Sequence, residues 1–181
     1  MKIGIIVGSI RQQRATEAVA QYVYAAAEAR AGSVEYSLID VRDYDLPLLT
    51  DPVHPMLRGK QYDDERVQRW SDTIDALDGF IFVTPEYNHG VPGGMKNAVD
   101  LLGPEWKKKA AAFVAHGSVG GVRAVEQWRQ ILANFSMFMA RAELNFNAFT
   151  HWSDGVFTPE PRHEAETTAM FDELEALAAI Q

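Results

Sequence analysis

Residues 79–97 read Gly79-Phe80-Ile81-Phe82-Val83-Thr84-Pro85-Glu86-Tyr87-Asn88-His89-Gly90-Val91-Pro92-Gly93-Gly94-Met95-Lys96-Asn97. The first five residues form an apolar run that is typical of a strand buried in a parallel sheet. The loop that follows holds two prolines and three glycines around Tyr87 and an amide. Proline and glycine fix unusual backbone angles, so N–H and C=O groups are held in place beside a flat ring. This loop suits a flat heteroaromatic ligand, although a rigid crossover turn is the alternative.

Apolar segments alternate with helical patterns along the rest of the chain. Strands are predicted at residues 3–7, 34–39, 80–83, 111–115 and 142–149, and helices at 16–30, 63–77, 94–102, 122–139 and 162–179. This alternation predicts an α/β fold with a five-stranded parallel sheet, strand order 2-1-3-4-5, and helices on both faces. Ligands of such sheets bind outside the carboxyl ends of the strands. A length of 181 residues predicts a single domain spanning 1–181.

Composition excludes several functional classes. A net charge of -8 argues against nucleic acid as a partner. The absence of cysteine excludes disulfides, thiolate metal ligands and cysteine nucleophiles. No apolar run approaches the roughly 20 residues of a membrane helix, and the amino terminus begins directly with a strand pattern. We therefore expect no membrane span, no signal peptide and a cytoplasmic location.

A second ligand-binding loop is predicted after the first strand, at Gly8-Ser9-Ile10-Arg11-Gln12-Gln13-Arg14-Ala15-Thr16. It lacks both G-x-G-x-x-G and G-x-x-x-x-G-K-[ST], which disfavours the common dinucleotide and triphosphate loops. It does offer two hydroxyls, Ser9 and Thr16, and two guanidiniums, Arg11 and Arg14, just before a helix amino terminus. Those donors suit one terminal phosphate. Helix capping by Thr16 with solvated arginines is the alternative.

A third loop, Gly117-Ser118-Val119-Gly120-Gly121, follows the fourth strand. Its N–H groups could stabilise negative charge on a bound ring, or the loop could be only a tight strand-to-helix turn.

Other candidate sites receive little support. The five histidines, at 54, 89, 116, 151 and 163, form no close pair and no H-E-x-x-H, so no metal site is expected. Ser9 and Ser118 do not lie in G-x-S-x-G, which leaves a hydrolase nucleophile unsupported. Glu86 could act as a general base, but a loop carboxylate of this kind, which we expect to be exposed, is more often structural or interfacial. No catalytic acid or base is therefore predicted. Lys96 and Asn97 are expected to hold the loop or start its helix.

Taken together, the three loops resemble the NADPH-dependent FMN reductase family. The resemblance is carried by residues 8–14, 85–100 and 117–124 and covers about residues 1–150. It implies a flavodoxin-like fold, noncovalent FMN, and NADPH or NADH as electron donor. The family includes quinone, azo-dye and chromate reductases. The chain departs from many members at Ala15-Thr16, where they have Gly, Asn or Ser.

The resemblance also implies roles for individual residues. The phosphate would be bound by Ser9, Arg11, Arg14 and Thr16. The isoalloxazine ring would lie against Pro85, Glu86, Tyr87 and Asn88, with Gly117 and Ser118 beside it.

The expected activity is ping-pong hydride transfer from NAD(P)H through FMN to a quinone, a free flavin, an azo compound or a metal oxyanion. One alternative is an FMN-binding electron-transfer or redox-sensing module without small-molecule turnover. Another is a noncatalytic interaction protein on the same fold. The apolar circumference of helix 122–139, with the resemblance, indicates a homodimer or homotetramer, although a fully buried helix would show the same pattern.

Overall fold

The computed structural model describes residues 1–180 as a five-stranded parallel sheet in the order β2-β1-β3-β4-β5, with a small antiparallel hairpin after it. The strands are β1 (Lys2–Val7), β2 (Glu35–Asp40), β3 (Gly79–Pro85), β4 (Ala110–Gly117), β5 (Phe138–Asn147), β6 (Trp152–Ser153) and β7 (Val156–Phe157). The predicted strand order is confirmed.

Helices cover both faces of the sheet. They are α1 (Ala15–Glu28), α2 (Glu65–Asp75), α3 (Gly93–Asp100), α4 (Val122–Ala133) and α5 (Arg162–Ala178). Short 3₁₀ turns lie at Val41–Tyr44, Pro55–Leu57 and Pro104–Trp106. Within residues 1–180, no helix has both the length and the apolar character that crossing a bilayer requires.

Strand β3 divides the apolar core between the two faces. Phe80 and Phe82 point to the side of α2, α3 and α4, whereas Ile81 and Val83 point to the side of α1 and α5. The Phe82 ring lies 5.7 Å from the ring of Trp128, measured between centroids. All four β3 residues are fully buried, which explains their unbroken apolar sequence.

The helix predicted at 122–139 is six residues too long. Helix α4 ends at Ala133, and Ser136 then takes a left-handed conformation with a φ of 55°. Phe138 and Met139 begin β5, opposite Ala110 and Ala111 of β4. The apolar residues of a short turn continue the helical spacing into the strand. Periodicity alone therefore did not give the correct end of the helix. Phe138 belongs to an edge strand and not to an exposed helix face.

The sheet brings three loops to one edge. In the register of the ladder, Val7 pairs with Val83, and Pro85 pairs with His116. Gly8 donates its N–H to the carbonyl of Val83 at 2.9 Å. The loops after β1, β3 and β4 therefore leave the sheet at neighbouring points, as the sequence predicted.

A buried carboxylate supports the core next to α2. Glu105 has no exposed surface, and its oxygens accept hydrogen bonds from Ser71 Oγ at 2.7 Å, Tyr62 Oη at 2.8 Å and the Gly103 N–H at 2.9 Å. Hydrogen bonding to this carboxylate and burial both raise the pKa of Tyr62. The three donors satisfy a charge that would otherwise be costly to bury.

We expect Glu105→Ala to lower the free energy of unfolding by about 2–4 kcal/mol, because it leaves buried donors without an acceptor. Urea unfolding at neutral pH measures this change. Glu126→Ala, at an exposed position on α4, is the control and should shift stability by less than about 0.5 kcal/mol. Equal losses in the two variants would contradict the role assigned to Glu105.

Candidate functional site

A hydrogen bond joins the first two loops. The buried hydroxyl of Ser9 lies 2.7 Å from the phenol oxygen of Tyr87 and also accepts the N–H of Arg11 at 3.3 Å. The exposed guanidinium of Arg11 lies 5.8 Å from the centre of the Tyr87 ring. Ser9, Arg11 and Tyr87, all predicted site residues, therefore lie together, although Ser9 and Tyr87 are 78 residues apart in sequence.

The Arg14 side chain points inward. Its guanidinium is 3% exposed and forms a bidentate pair with Asp40 at the end of β2, with one bond of 2.9 Å. It also donates to the carbonyl of Ser9. Arg14 therefore ties the first loop to the neighbouring strand, and its predicted contact with a phosphate stays a prediction. No pattern in the sequence pointed to Asp40 as the partner of Arg14.

Thr16 lies inside α1 and not at its cap. Its hydroxyl is 2.8 Å from Nε2 of His116, which is the second-last residue of β4 and is largely buried beside the Trp152 ring. Burial lowers the pKa of His116 to about 4, so the imidazole is neutral at pH 7. The alternative in which Thr16 caps the helix is wrong. In the sequence, His116 stands out only as one of five candidate metal ligands. Its position near a strand end is the feature that could have indicated a place in the site.

The amino terminus of α1 is left open. No side chain caps it, and among residues 1–180 the N–H groups of Gln12, Gln13, Ala15 and Thr16 have no acceptor. These donors lie next to the Ser9 hydroxyl and the Arg11 guanidinium. Free N–H groups at a helix amino terminus, with a cation beside them, suit a phosphate group.

The second loop is a tight hairpin. Tyr87 and Gly90 exchange two backbone hydrogen bonds of 3.0 Å, and Asn88 and His89 both have positive φ, as a two-residue type I′ turn requires. Gln127 on α4 donates to the His89 carbonyl at 3.1 Å. The hairpin therefore holds Tyr87 against Ser9 and leaves Asn88 exposed at its tip.

Glu86 is a structural carboxylate. Its side chain is only 4% exposed and accepts the N–H of Arg123 at 3.1 Å and the Arg123 guanidinium at 2.8 Å. The expectation of an exposed side chain is wrong. Of the two roles expected for Glu86, structural or interfacial, this ion pair favours the structural one, because the charge sits at the amino terminus of α4.

The third loop requires glycine. Gly120 and Gly121 have φ of 81° and 78°, and a Cβ on Gly121 would lie 2.7 Å from Ala115 Cβ. The exposed tip, Ser118 and Val119, has N–H groups with no acceptor among the described residues. These N–H groups can bind an electron-rich edge of a ligand.

The fold also pairs two histidines outside these loops. The rings of His151 and His163 lie 4.9 Å apart between centroids. The expectation that no two histidines form a close pair is therefore wrong for the folded chain. A turn and a hairpin bring His151 and His163 together although they are separated in sequence.

Asn97 and Lys96 lie within α3, and their side chains bond to residues outside the second loop. Asn97 donates to the Pro47 carbonyl at 2.8 Å and accepts from the Leu49 N–H at 3.0 Å. Lys96 pairs with Asp100 one turn further along α3.

Several known proteins are similar to this chain in sequence or in fold. The sequence profile of the family described as NADPH-dependent FMN reductase matches residues 1–151. An NAD(P)H-dependent FMN reductase from Nectria sp. is 34% identical over 191 residues, covering 99% of this chain and 95% of the relative. A quinone reductase from Pseudomonas putida is 30% identical over 142 residues, covering 75% and 71%. The structure of FerB, a flavoenzyme NAD(P)H:(acceptor) oxidoreductase from Paracoccus denitrificans, superimposes with a TM-score of 0.73 at 26% identity, covering 97% of each chain.

We expect the buried His116 to make stability depend on pH. Its pKa is lower in the folded chain than the ordinary value of 6.5, so unfolding takes up a proton as the pH falls below that value. The free energy of unfolding should therefore fall by about 2 kcal/mol more in the native protein than in His116→Gln between pH 7 and pH 5. Urea unfolding at the two pH values measures the difference. His89→Asn, at an exposed position, should retain the native pH dependence, and a native slope in His116→Gln would contradict the assignment.

Proposed function

The chain belongs to the NADPH-dependent FMN reductase family, and we propose that its three loops bind FMN for electron transfer from NAD(P)H to small oxidised molecules. The observation that carries the proposal is the set of unpaired donors at one sheet edge, beside the Tyr87 ring. When bound, FMN accepts a hydride from NADPH or NADH and passes the two electrons to an acceptor. The chain supplies binding, orientation and electrostatics.

The phosphate of FMN fits the first loop. Ser9, Arg11 and the open N–H groups from Gln12 to Thr16 form a donor set for a dianion. Arg14 would contribute in part by positioning the first loop, since its bonds to Asp40 and to the Ser9 carbonyl hold that loop in shape. The Thr16 hydroxyl already has His116 as a partner, so its backbone N–H is the better phosphate donor.

The ring of FMN fits between the second and third loops. The segment Pro85 to Asn88 offers a rigid backbone edge and the Tyr87 ring, while Gly117 and Ser118 face it from the next strand. The open N–H groups at Ser118 and Val119 would stabilise negative charge on the reduced ring.

No side chain at this edge is arranged as an obligatory acid or base. The Glu86 carboxylate is held by Arg123, and the His116 imidazole is neutral and bonded to Thr16. In the proposed mechanism the protein binds and orients the cofactor, and the cofactor supplies the chemistry.

We propose a quinone, a free flavin, an azo compound or a metal oxyanion as acceptor. The exposed tips of the second and third loops would leave one side of the ring open, so each acceptor could replace the oxidised nicotinamide at the same place. The P. putida quinone reductase supports the quinone among these.

The experiment that tests the function starts with the visible spectrum of the purified protein. We expect a flavin spectrum that bleaches with NADPH or NADH and recovers on adding a quinone. Double-reciprocal plots at several quinone concentrations should be parallel, since donor and acceptor use the site in turn. Bound flavin without turnover would favour the electron-transfer module, and a colourless protein that takes up no FMN would favour a noncatalytic role.

Arg11→Ala should weaken FMN binding by roughly ten- to hundredfold, because a charge-assisted phosphate contact contributes about 1.5–3 kcal/mol. Fluorescence titration of the apoprotein with FMN measures the dissociation constant. Arg141→Ala, an equal change of charge at an exposed position on β5, is the control. Equal affinity in the two variants would remove Arg11 from the site.

Three further expectations are part of the proposal. We propose that residues 1–181 form one domain, that the protein acts in the cytoplasm and that it assembles as a homodimer or homotetramer. Exposed apolar side chains support assembly, among them Ile10, Leu48 and Leu57.

A further inference from the structure

A cluster of metal-ligating groups lies beyond the proposed FMN site, where the β6–β7 hairpin meets the start of α5. His151 precedes the hairpin, Glu160 follows it, and His163 lies in the first turn of α5. One ligand atom from each residue lies within 4.8 Å of the other two. The cluster therefore joins three consecutive elements of the carboxyl-terminal part of the chain.

Both imidazoles are buried, and within the described part of the chain each has one ring nitrogen without a hydrogen-bond partner. The side chains of His151 and His163 are 4% and 0% exposed. Among residues 1–180, neither Nε2 atom has a hydrogen-bond partner. Two buried, unpartnered nitrogens, one facing Glu160 and the other facing Glu166, are unusual in a core, where polar atoms are nearly always paired.

The other nitrogen of each ring is oriented by the backbone. Nδ1 of His151 lies 3.2 Å from the Asn147 carbonyl, and Nδ1 of His163 lies 3.2 Å from the Glu160 carbonyl. In the tautomer with hydrogen on Nδ1, each ring donates to its carbonyl and presents the Nε2 lone pair to the cluster. Histidines that bind metals are commonly held by such a second bond. The same Nδ1 atoms accept the backbone N–H groups of Asn147 and Glu160 at 3.0 and 2.9 Å, so without a metal each ring carries its hydrogen on Nε2.

The spacing between His151 and Glu160 suits a small tetrahedral ion. Nε2 of His151 and Oε1 of Glu160 are 3.4 Å apart. Two ligands about 2.0–2.1 Å from a tetrahedral zinc ion are separated by about 3.4 Å. Two imidazoles and one carboxylate match the ligand preference of Zn²⁺ and are too few oxygens for Ca²⁺ or Mg²⁺.

Charged neighbours leave one carboxylate oxygen for the ion. Arg162 binds Oε2 of Glu160 at 2.7 Å, while Oε1 faces His151. Glu166 lies 3.9 Å from Nε2 of His163 and adds a second negative charge beside the cluster. The two carboxylates offset the repulsion between Arg162 and a bound cation.

We propose that His151, Glu160 and His163 form a Zn²⁺ site that fastens the β6–β7 hairpin to α5. A fourth position, on the side of the exposed Glu160, is filled by water. The site is separate from the loops that bind FMN in the proposed function, and its test does not depend on activity.

The test titrates Zn²⁺ into the untagged, flavin-loaded protein after dialysis against a chelator, with isothermal titration calorimetry as the readout. We expect one Zn²⁺ per chain and a rise in melting temperature with zinc concentration, because the ion binds only the folded chain. X-ray absorption at the zinc edge should show imidazole nitrogens in its first shell. No binding, or a first shell of oxygen alone, would overturn the proposal.

Variants locate the site without disturbing the core. Glu160→Gln changes a half-exposed side chain and should weaken zinc binding by about tenfold or more, since even partners outside the ligand shell contribute that much. Glu164→Gln removes the same charge from an exposed position in the first turn of α5 and should bind as the native protein does. Equal affinity in the two variants would overturn the assignment to Glu160.

Discussion

The register of the parallel ladder through β1, β3 and β4 is the constraint on which the rest of the structure depends. Parallel strands need a crossover helix between them, so their carboxyl ends all face one edge. The pairing of Val7 with Val83 and of Pro85 with His116 fixes the positions along the strands at which the three loops leave that edge. A shift of one residue in any pair would turn buried side chains to the other face and separate Ser9 from Tyr87.

Short-range polar bonds then fix the loops on this frame. The bond from Arg14 to Asp40 holds the first loop, and the bond from Arg123 to Glu86 holds the second. The bond between Thr16 and His116 connects the first loop to the third. All three bonds link residues far apart in sequence, and each has at least one buried member. They use groups that could otherwise have been available to a ligand, and they leave mainly backbone N–H groups open. An edge of this type binds through pre-arranged backbone donors more than through mobile side chains.

The sequence predicted the features that follow from local pattern. The apolar run at 79–83, the glycines and prolines after it and the alternation of strands with helices were enough for the sheet order and for the position of the loops. The end of α4 was missed because Phe135 and Phe138 continue a helical spacing through a turn. The inward orientation of Arg14 and the partners of Glu86 and His116 were not predictable, because they depend on which strand ends become neighbours. The pairing of His151 with His163 was missed for the same reason, since spacing along the chain does not show how a hairpin folds back.

The third loop has a consequence for protein engineering. Its frame, Gly120 and Gly121, cannot accept a side chain without a clash or a strained backbone, whereas Ser118 and Val119 project into solvent. Random mutagenesis across the whole loop would therefore introduce a clash or backbone strain in every clone that replaces Gly120 or Gly121. A library confined to those two tip positions would sample new surface chemistry next to the open edge while the scaffold keeps its shape.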